Sequence, residues 1–296
     1  MKLLVTGAAG FLGWRTTVLL RERGHEVVAV ARPGGIARAH AIGLDAVELD
    51  AGSREIRALV EGCDAVLHFA GIPDPARARE DPVRAIRENA GTTVNLLEAC
   101  EAFGAGLIYP STIRAAVEPP PDVYALSKRL GELASRMHRA PGTVVRLTSV
   151  FGPGQVAWEG ATGAIARFAA NALEGRPIVI HGDPERTRDF VYVDDVAPAL
   201  EAITLEHRWN ETITLAGGRP ASLRRAAELV VAATGDAVPI ETPGGTLPPG
   251  ENESYVGSQG EGRSGLPFDV RPLEEAVPLY VHWLAAQVRA RARSAR

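Results

Sequence analysis

Short apolar runs and longer amphipathic segments alternate along the first half of the chain. Lys2–Thr6, His25–Ala31, Ala46–Asp50, Asp64–Gly71, Leu107–Tyr109 and Val144–Leu147 are mostly apolar, the pattern of strands covered on both faces. Between them, Thr16–Arg23, a segment from Ile56, Val83–Phe103 and a segment opening after Asp122 carry helical spacing, and Ile72–Arg79 reads as a loop. This alternation predicts an α/β protein, with a Rossmann-type doubly wound parallel sheet. Beyond residue 150 the pattern loosens. Helices are expected over Ala164–Leu173, after Asp194-Asp195, over Leu223–Thr234 and over Leu273–Val288. Strands are expected at Ile178–Ile180, Phe190–Val193 and Thr212–Leu215. Residues 242–265, rich in Gly, Pro and Ser, read as a loop or lid. The domain reading is 1–150, with a returning segment near 188–210, and a smaller lobe over 151–296.

The helix after Asp122 concentrates the chemistry. Pro119-Pro120-Pro121-Asp122 stops one element and caps the next, and Ala140-Pro141-Gly142 ends it. Leu126, Leu130, Leu133 and Met137 share a stripe, which leaves core and dimer seam both open. Tyr124 and Lys128, continued by Gly131 and Ser135, lie opposite, and Arg129, Glu132, Arg136 and Arg139 form a flank expected in water. The chain has 32 basic residues, of which only Lys2 and Lys128 are lysines. An ammonium one turn from a tyrosine favours phenolate and lowers the phenol pKa from about 10. Tyr124 is therefore expected to exchange protons near neutral pH. A surface lysine that happens to follow a tyrosine is the alternative on spacing alone; the small residues beside Tyr124 favour a site.

Gly7-Ala8-Ala9-Gly10-Phe11-Leu12-Gly13 lies between the first strand and first helix. Gly7 permits a tight turn, Gly10 lets backbone approach a pyrophosphate, and Gly13 lets helix pack on strand, with the amides of Phe11 and Leu12 near the phosphates. The spacing is G-x-x-G-x-x-G, in the strand–turn–helix context that a dinucleotide site needs. After the second strand the chain has Ala31-Arg32-Pro33-Gly34 rather than an acidic residue. Arginine there suits a 2′-phosphate, which favours NADP over NAD; a solvated loop arginine is the alternative. Asp64–Gly71 ends in small residues that leave room for a ligand in the crevice. His68, inside that apolar strand, reads as a packed core histidine.

Composition narrows the field. With 296 residues, 46% hydrophobic and 23% charged, the chain is an ordinary globular one. A net charge of −4 gives no basic field for nucleic acid or an anionic membrane. Two cysteines, Cys63 and Cys100, suggest neither a disulfide framework nor a metal site, and a cytoplasmic setting is expected. No apolar stretch is long enough to span a membrane.

The glycine triple together with Tyr124 and Lys128 resembles the short-chain dehydrogenase/reductase superfamily. Thr187–Ala197 (TRDFVYVDDVA), Asn89–Ala99 (NAGTTVNLLEA) and Arg146–Pro153 (RLTSVFGP) are similar to its extended branch, the NAD(P)-dependent sugar-nucleotide epimerase/dehydratase family. The resemblance implies that the first domain binds the dinucleotide and the smaller lobe the substrate. It implies Tyr124 as acid/base, Lys128 as its pKa-lowering partner and nicotinamide-ribose ligand, and Thr112 as the hydroxyl holding the reacting oxygen. It places Asp50 and Ala51 by the adenine, Phe69, Ala70, Gly71 and Asn89 along the cofactor, and Ser111, Ser149 and Arg188 toward substrate. Expected, then, is an oxidoreductase moving a hydride to or from a secondary alcohol or ketone of a sugar-like, nucleotide-activated substrate, as ketoreductase or epimerase. A reductase of a non-nucleotide natural-product ketone and a cofactor-binding sensor without turnover are the alternatives. The chain departs from the family at several points. Ile113-Arg114 follows Thr112 where dehydratases carry an Asp-Glu pair, so dehydration is not expected. The segment from Thr112 to Tyr124 is shorter than usual. Ser149 replaces a common asparagine, and Pro248-Pro249-Gly250-Glu251 lacks the arginine that clamps a diphosphate.

Overall fold

The computed structural model describes residues 1–157, 163–235, 237–248, 250–251, 253–257 and 265–294. Part of the 242–265 segment, and Pro249 of the Pro-Pro-Gly-Glu run, lie outside them.

Six strands appear in the first half: β1 (Lys2–Thr6), β2 (Glu26–Ala31), β3 (Val47–Glu48), β4 (Ala65–His68), β5 (Gly106–Thr112) and β6 (Gly142–Leu147). With β11 (Thr212–Leu215; β7–β10 are given below) they form one parallel sheet, in the order β3-β2-β1-β4-β5-β6-β11. The order reverses between β1 and β4, the switch point where such sheets bind ligands. Both faces of the sheet are covered. Leu4, Val66, Leu107 and Val144 share one core with Ile56, Val60, Leu96, Leu97 and Cys100. Leu3, Val5, Leu67 and Ile108, on the alternate face, are also fully buried.

The helices of this half are α1 (Phe11–Glu22), α2 (Ile36–Ala41), α3 (Arg57–Val60), α4 (Pro75–Glu80), α5 (Pro82–Ile86), α6 (Thr92–Phe103) and α7 (Val123–Met137). Helix α1 starts at Phe11 rather than Thr16, so Gly13 lies inside its first turn. The expected loop 72–79 holds α4, because Asp74 caps it through Ala76 N (2.8 Å) and Pro75 occupies the first turn. The expected single helix 83–103 is interrupted by a π-turn over Arg87–Gly91, which carries Asn89.

Helix α7 keeps its expected bounds, but its faces fall differently. Leu126, Leu133 and Met137 are exposed, Met137 to 83%, while Ser127, Gly131, Glu132 and Ser135 are buried. Gly131 is required there: a Cβ would stand 2.3 Å from Tyr109 Oη.

The second half contains β7 (Ser149–Phe151), β8 (Ile178–His181), β9 (Thr187–Arg188), β10 (Phe190–Tyr192), β12 (Ala221–Ser222) and β13 (Ile240–Gly244). Its helices are α8 (Ala164–Leu173), α9 (Val193–Leu205), α10 (Leu223–Thr234) and α11 (Leu273–Ser294). The pairs β7/β10 and β8/β13 are parallel and β9/β12 is antiparallel. The chain divides into two compact units. The first holds Met1–Leu147, Val196–Leu215 and a short stretch ending at Phe268; the second holds Thr148–Asp195 and the segments beginning at Ala216 and Asp269. The second unit has its own core, in which Phe151, Phe168, Ile180, Tyr192, Val230, Val277, Tyr280 and Leu284 are buried together.

Candidate active site

Gly7 adopts φ +68°, and a Cβ there would lie 2.6 Å from Ala70 N. A Cβ on Gly13 would lie 2.4 Å from Gly7 O, so the first and third glycines are demanded by packing. Gly10 differs. It is exposed, and its Cβ would meet only Gly7 O, at 3.1 Å. Helix α1 begins there with no side-chain cap. An open glycine at an uncapped helix start is a cradle for a phosphate, and the residues therefore fit a dinucleotide pyrophosphate.

Around this turn, Phe69 and Ala70 are partly buried at the end of β4, beside Gly7. Gly71 has φ +142°, and a Cβ would lie 2.3 Å from Asn89 Oδ1. Asn89 is 1% exposed and fully engaged. Its Oδ1 accepts from Ile72 N (2.7 Å), and its Nδ2 donates to Ile72 O (3.0 Å) and Ser127 Oγ (2.8 Å). Asp50, after β3, closes a turn through Gly52 N (2.8 Å), and buried Ala51 is held through its carbonyl by Asn95 Nδ2 (3.3 Å). Arg32 is exposed at the end of β2 and stands 3.9 Å from Glu88. Arg38, on α2, donates to Ala9 O of the glycine turn.

The reactive groups gather at the C-terminal end of β5. Thr112, 9% exposed, ends β5 with its hydroxyl accepting from Arg114 N (3.3 Å), and the Tyr124 ring packs against Ile72, Ala78 and Ala85. The Lys128 ammonium lies 4.5 Å from the centre of the Tyr109 ring. Tyr109 Oη in turn donates to Lys128 O (3.4 Å) and Asn89 O (3.3 Å). His68 is fully buried and shares a hydrogen bond with Thr6 Oγ1 (2.8 Å), which also accepts from Ala70 N (3.3 Å). His68 is a neutral core histidine, its pKa pushed down to about 3 by burial and then by the Lys128 charge. Lys128 acts on His68, and His68 is bonded to Thr6 one residue before Gly7. The start of α7 and the glycine turn thus lie close together in the first unit.

The electrostatics correct one expectation. Burial pushes Tyr124 up to about 12, and the groups opposing that rise are the Arg114 guanidinium and the Thr112 hydrogen bond. Lys128 lies over the Tyr109 ring. Its own pKa is pulled down to about 8 by burial, against the pull of Glu132. Tyr124 is therefore a protonated phenol at neutral pH, and Lys128 is mostly charged.

Sequence reasoning missed the scaffold beneath these groups. Glu132, expected in water, is 2% exposed. It accepts from Ser111 Oγ (2.7 Å), Arg146 Nε (3.0 Å) and Arg146 Nη2 (2.8 Å). Ser111 thus faces α7 rather than open space. The signal was present: Glu132 follows Lys128 by one turn on a helix whose small residues mark an inward face.

The two remaining substrate candidates belong to the second unit. Ser149 begins β7, its amide bonded to Asp189 O (3.0 Å). Arg188 donates to the carbonyls of Glu251 (3.0 Å) and Glu253, and its guanidinium lies 5.2 Å from the centre of the Tyr255 ring. Among the described residues no group of His, Cys, Asp or Glu is arranged to hold a metal, and no helix is long and apolar enough to cross a membrane.

Residues 3–214 match the model of the NAD dependent epimerase/dehydratase family. The chain belongs to that family. It is 29% identical over 261 residues to a UDP-glucuronate 4-epimerase of Thermodesulfobacterium geofontis, covering 77% of this chain and 79% of the relative. Its fold superposes on a UDP-glucose 4-epimerase of Thermotoga maritima at TM-score 0.83 and 25% identity, over 97% of this chain and 100% of that one. MoeE5, solved with UDP-glucose and NAD, matches equally: TM-score 0.83, 25% identity, the same coverage. The protein is accordingly an NAD(P)-dependent enzyme of the extended short-chain dehydrogenase/reductase type, built for hydride transfer.

Proposed function

We propose that this enzyme oxidises and reduces a secondary alcohol of a nucleotide-activated sugar, as an epimerase or ketoreductase, through Thr112, Tyr124 and Lys128. The observation that carries this reading is that Thr112, at the end of β5, and Tyr124 and Lys128, on α7, lie in the same unit as the glycine turn. Bound NAD(P) supplies the hydride acceptor and donor. The positive charge of bound NAD(P)+ would favour the phenolate; in that form Tyr124 Oη would take the hydroxyl proton of the alcohol during oxidation, and as the phenol it would return it during reduction. Thr112 donates to the substrate oxygen as charge develops there. Lys128, above the Tyr109 ring, holds the nicotinamide ribose hydroxyls. Gly7, Gly10 and Gly13, with the Phe11 and Leu12 amides, receive the pyrophosphate. Asp50 and Ala51 flank the adenine, Phe69, Ala70, Gly71 and Asn89 line the dinucleotide, and Ser111, Ser149 and Arg188 serve the substrate. The exposed Arg32 guanidinium supports NADP as the preferred form. MoeE5, by contrast, was solved with NAD.

Relatives named for UDP-glucuronate and UDP-glucose make these two nucleotides the first probes. Product analysis by NMR after incubation with each, with NAD or NADP, tests the assignment. Cofactor retained through purification, together with a C4-inverted product, marks an epimerase; a strict requirement for added NADPH marks a ketoreductase. Neither sugar turning over would return the substrate question to a non-nucleotide ketone. That second reading draws on Arg188, whose guanidinium is engaged with the Glu251 and Glu253 carbonyls. The exposed Leu126, Leu133 and Met137 are read as a seam between two copies, which light scattering tests directly. Two buried free cysteines suit a reducing cytoplasm.

A further inference from the structure

Eleven residues separate Thr112 from Tyr124, and the structure shows what closes this short connection. After β5 the chain turns through a single 3-10 turn, Ile113–Ala116, started by Thr112 Oγ1 accepting from Arg114 N (3.3 Å). The Arg114 guanidinium then pairs with Asp122 Oδ2. The other oxygen, Asp122 Oδ1, caps α7 by accepting from Ala125 N (2.8 Å). Both side chains are largely buried, at 14% and 12% exposure. One ion pair therefore ties the residue after next from Thr112 to the first turn of the helix that carries Tyr124.

We propose that Arg114 is a positioning residue of this site: held by Asp122, it ties the Thr112 end of β5 to the first turn of α7 and adds a guanidinium to the charge environment of the Tyr124 phenol. Direction and burial both support this. The Arg114 guanidinium opposes the rise of the Tyr124 pKa that burial causes. The other ionisable groups around the phenol are accounted for. Tyr109 reaches in from β5 and is held protonated by its burial, and Glu132 on α7 acts on Lys128. On the helices packed against the start of α7, Arg77 pairs with Asp74 (3.9 Å) and Arg84 with Glu88 (2.5 Å), and Arg79 also has a partner. Asp122 tempers Arg114, so the phenol feels a guanidinium partly cancelled by a carboxylate.

This geometry makes an opposed pair of predictions. The inference rests on Tyr124 as acid/base, but its test needs no substrate. The full-length, cofactor-free protein is labelled with 13Cζ-tyrosine, and the Tyr124 resonance is assigned by its loss in Tyr124→Phe. The other four tyrosines, at positions 109, 192, 255 and 280, are buried and help isolate the signal. Tyrosinate at Tyr124 is then compared at about pH 11, with circular dichroism confirming the fold. Arg114→Gln should lower the tyrosinate fraction about three- to tenfold, and Arg114→Lys should restore most of it. Asp122→Asn keeps a good helix cap but removes the tempering charge, and should raise the fraction about threefold. If both neutralising variants shift Tyr124 in the same direction, or neither moves it, Arg114 is only a structural tie and the inference is wrong. Should Arg114→Gln fail to fold, Arg114→Lys and Asp122→Asn still decide it, since only an electrostatic role makes the second raise ionisation. A normal titration response in a protein that turns over neither nucleotide sugar would sustain this inference while overturning the proposed reaction.

Discussion

The glycine turn after β1 and the first turns of α7 belong to the same unit, and they are specified in opposite ways. At the glycine turn the requirement is absence: Gly7 and Gly13 leave no room for a single carbon. At α7 the requirement is charge: Lys128 and Tyr124 are held where burial pulls both pKa values away from their ordinary range. Steric specification costs the fold little, because nothing there is desolvated. Electrostatic specification destabilises the empty fold, and the surrounding network of Glu132, Arg146, Ser111, Arg114 and Asp122 offsets that cost.

The contrast can be broken at its reactive end first. Tyr124→Phe should leave the melting temperature within a few degrees while lowering kcat on any accepted sugar about a thousandfold, roughly 4 kcal/mol. Equal loss of stability and activity would mean that the tyrosine serves packing instead. Next in size, Glu132→Ala removes the carboxylate that Arg146 and Ser111 share inside the protein, and should cost about 3–4 kcal/mol in urea unfolding. The glycines give a sharper split. Gly13→Ala should destabilise by about 2–3 kcal/mol and weaken NAD(P) binding. Gly10→Ala should lose little stability yet bind the dinucleotide at least tenfold more weakly by fluorescence titration.

The smallest effect reverses the usual sign. Lys128 is held at a pKa of about 8 against an ordinary 10.5, so its desolvation penalty is complete below pH 8 and relieved as pH climbs toward 10.5. Tyr124, raised to about 12 from 10, acts in the other direction above pH 10, and the buried Cys63 and Cys100 thiols, both raised from 9.0, do so from pH 9, so only the window from 8 to 9 belongs to the lysine. Stability of the cofactor-free protein should rise through that window, and Lys128→Met should flatten the rise while stabilising the fold at pH 7 by about 1 kcal/mol, allowing for partial exposure.

What could be read in advance follows the same division. The glycine turn announced itself because a steric demand is local, and strand, turn and helix stand side by side in sequence. The parallel sheet was legible from strands apolar on both faces. Tyr124 and Lys128 were legible as a pair one turn apart. Periodicity, however, groups residues onto faces without saying which face turns inward. The leucine stripe of α7 points outward, and the flank with Glu132 is partly interior, because Gly131 and Ser135 admit Tyr109 and close packing where leucines would not fit. The partners that decide charge could not be inferred: Arg146 lies 14 positions from Glu132, on β6 rather than on α7. Arg114 and Asp122 looked like loop and cap until the short connection brought them together. Helix α4 was overlooked although Asp74-Pro75 is a proper start signal, since a polar, arginine-rich stretch has too few apolar positions to show a period.

The π-turn at Arg87–Gly91 deserves a last consequence. Such a turn holds one residue more than its α-helical equivalent. The surplus is absorbed locally, so α5 before it and α6 after it keep their own bearings on the rest of the protein. Asn89 sits in this turn, with its amide bonded to both the N–H and the carbonyl of Ile72 and to the Ser127 hydroxyl. A lineage that lost a single codon here would inherit a smoother helix and an intact core, but the loop beyond β4 would have lost its latch.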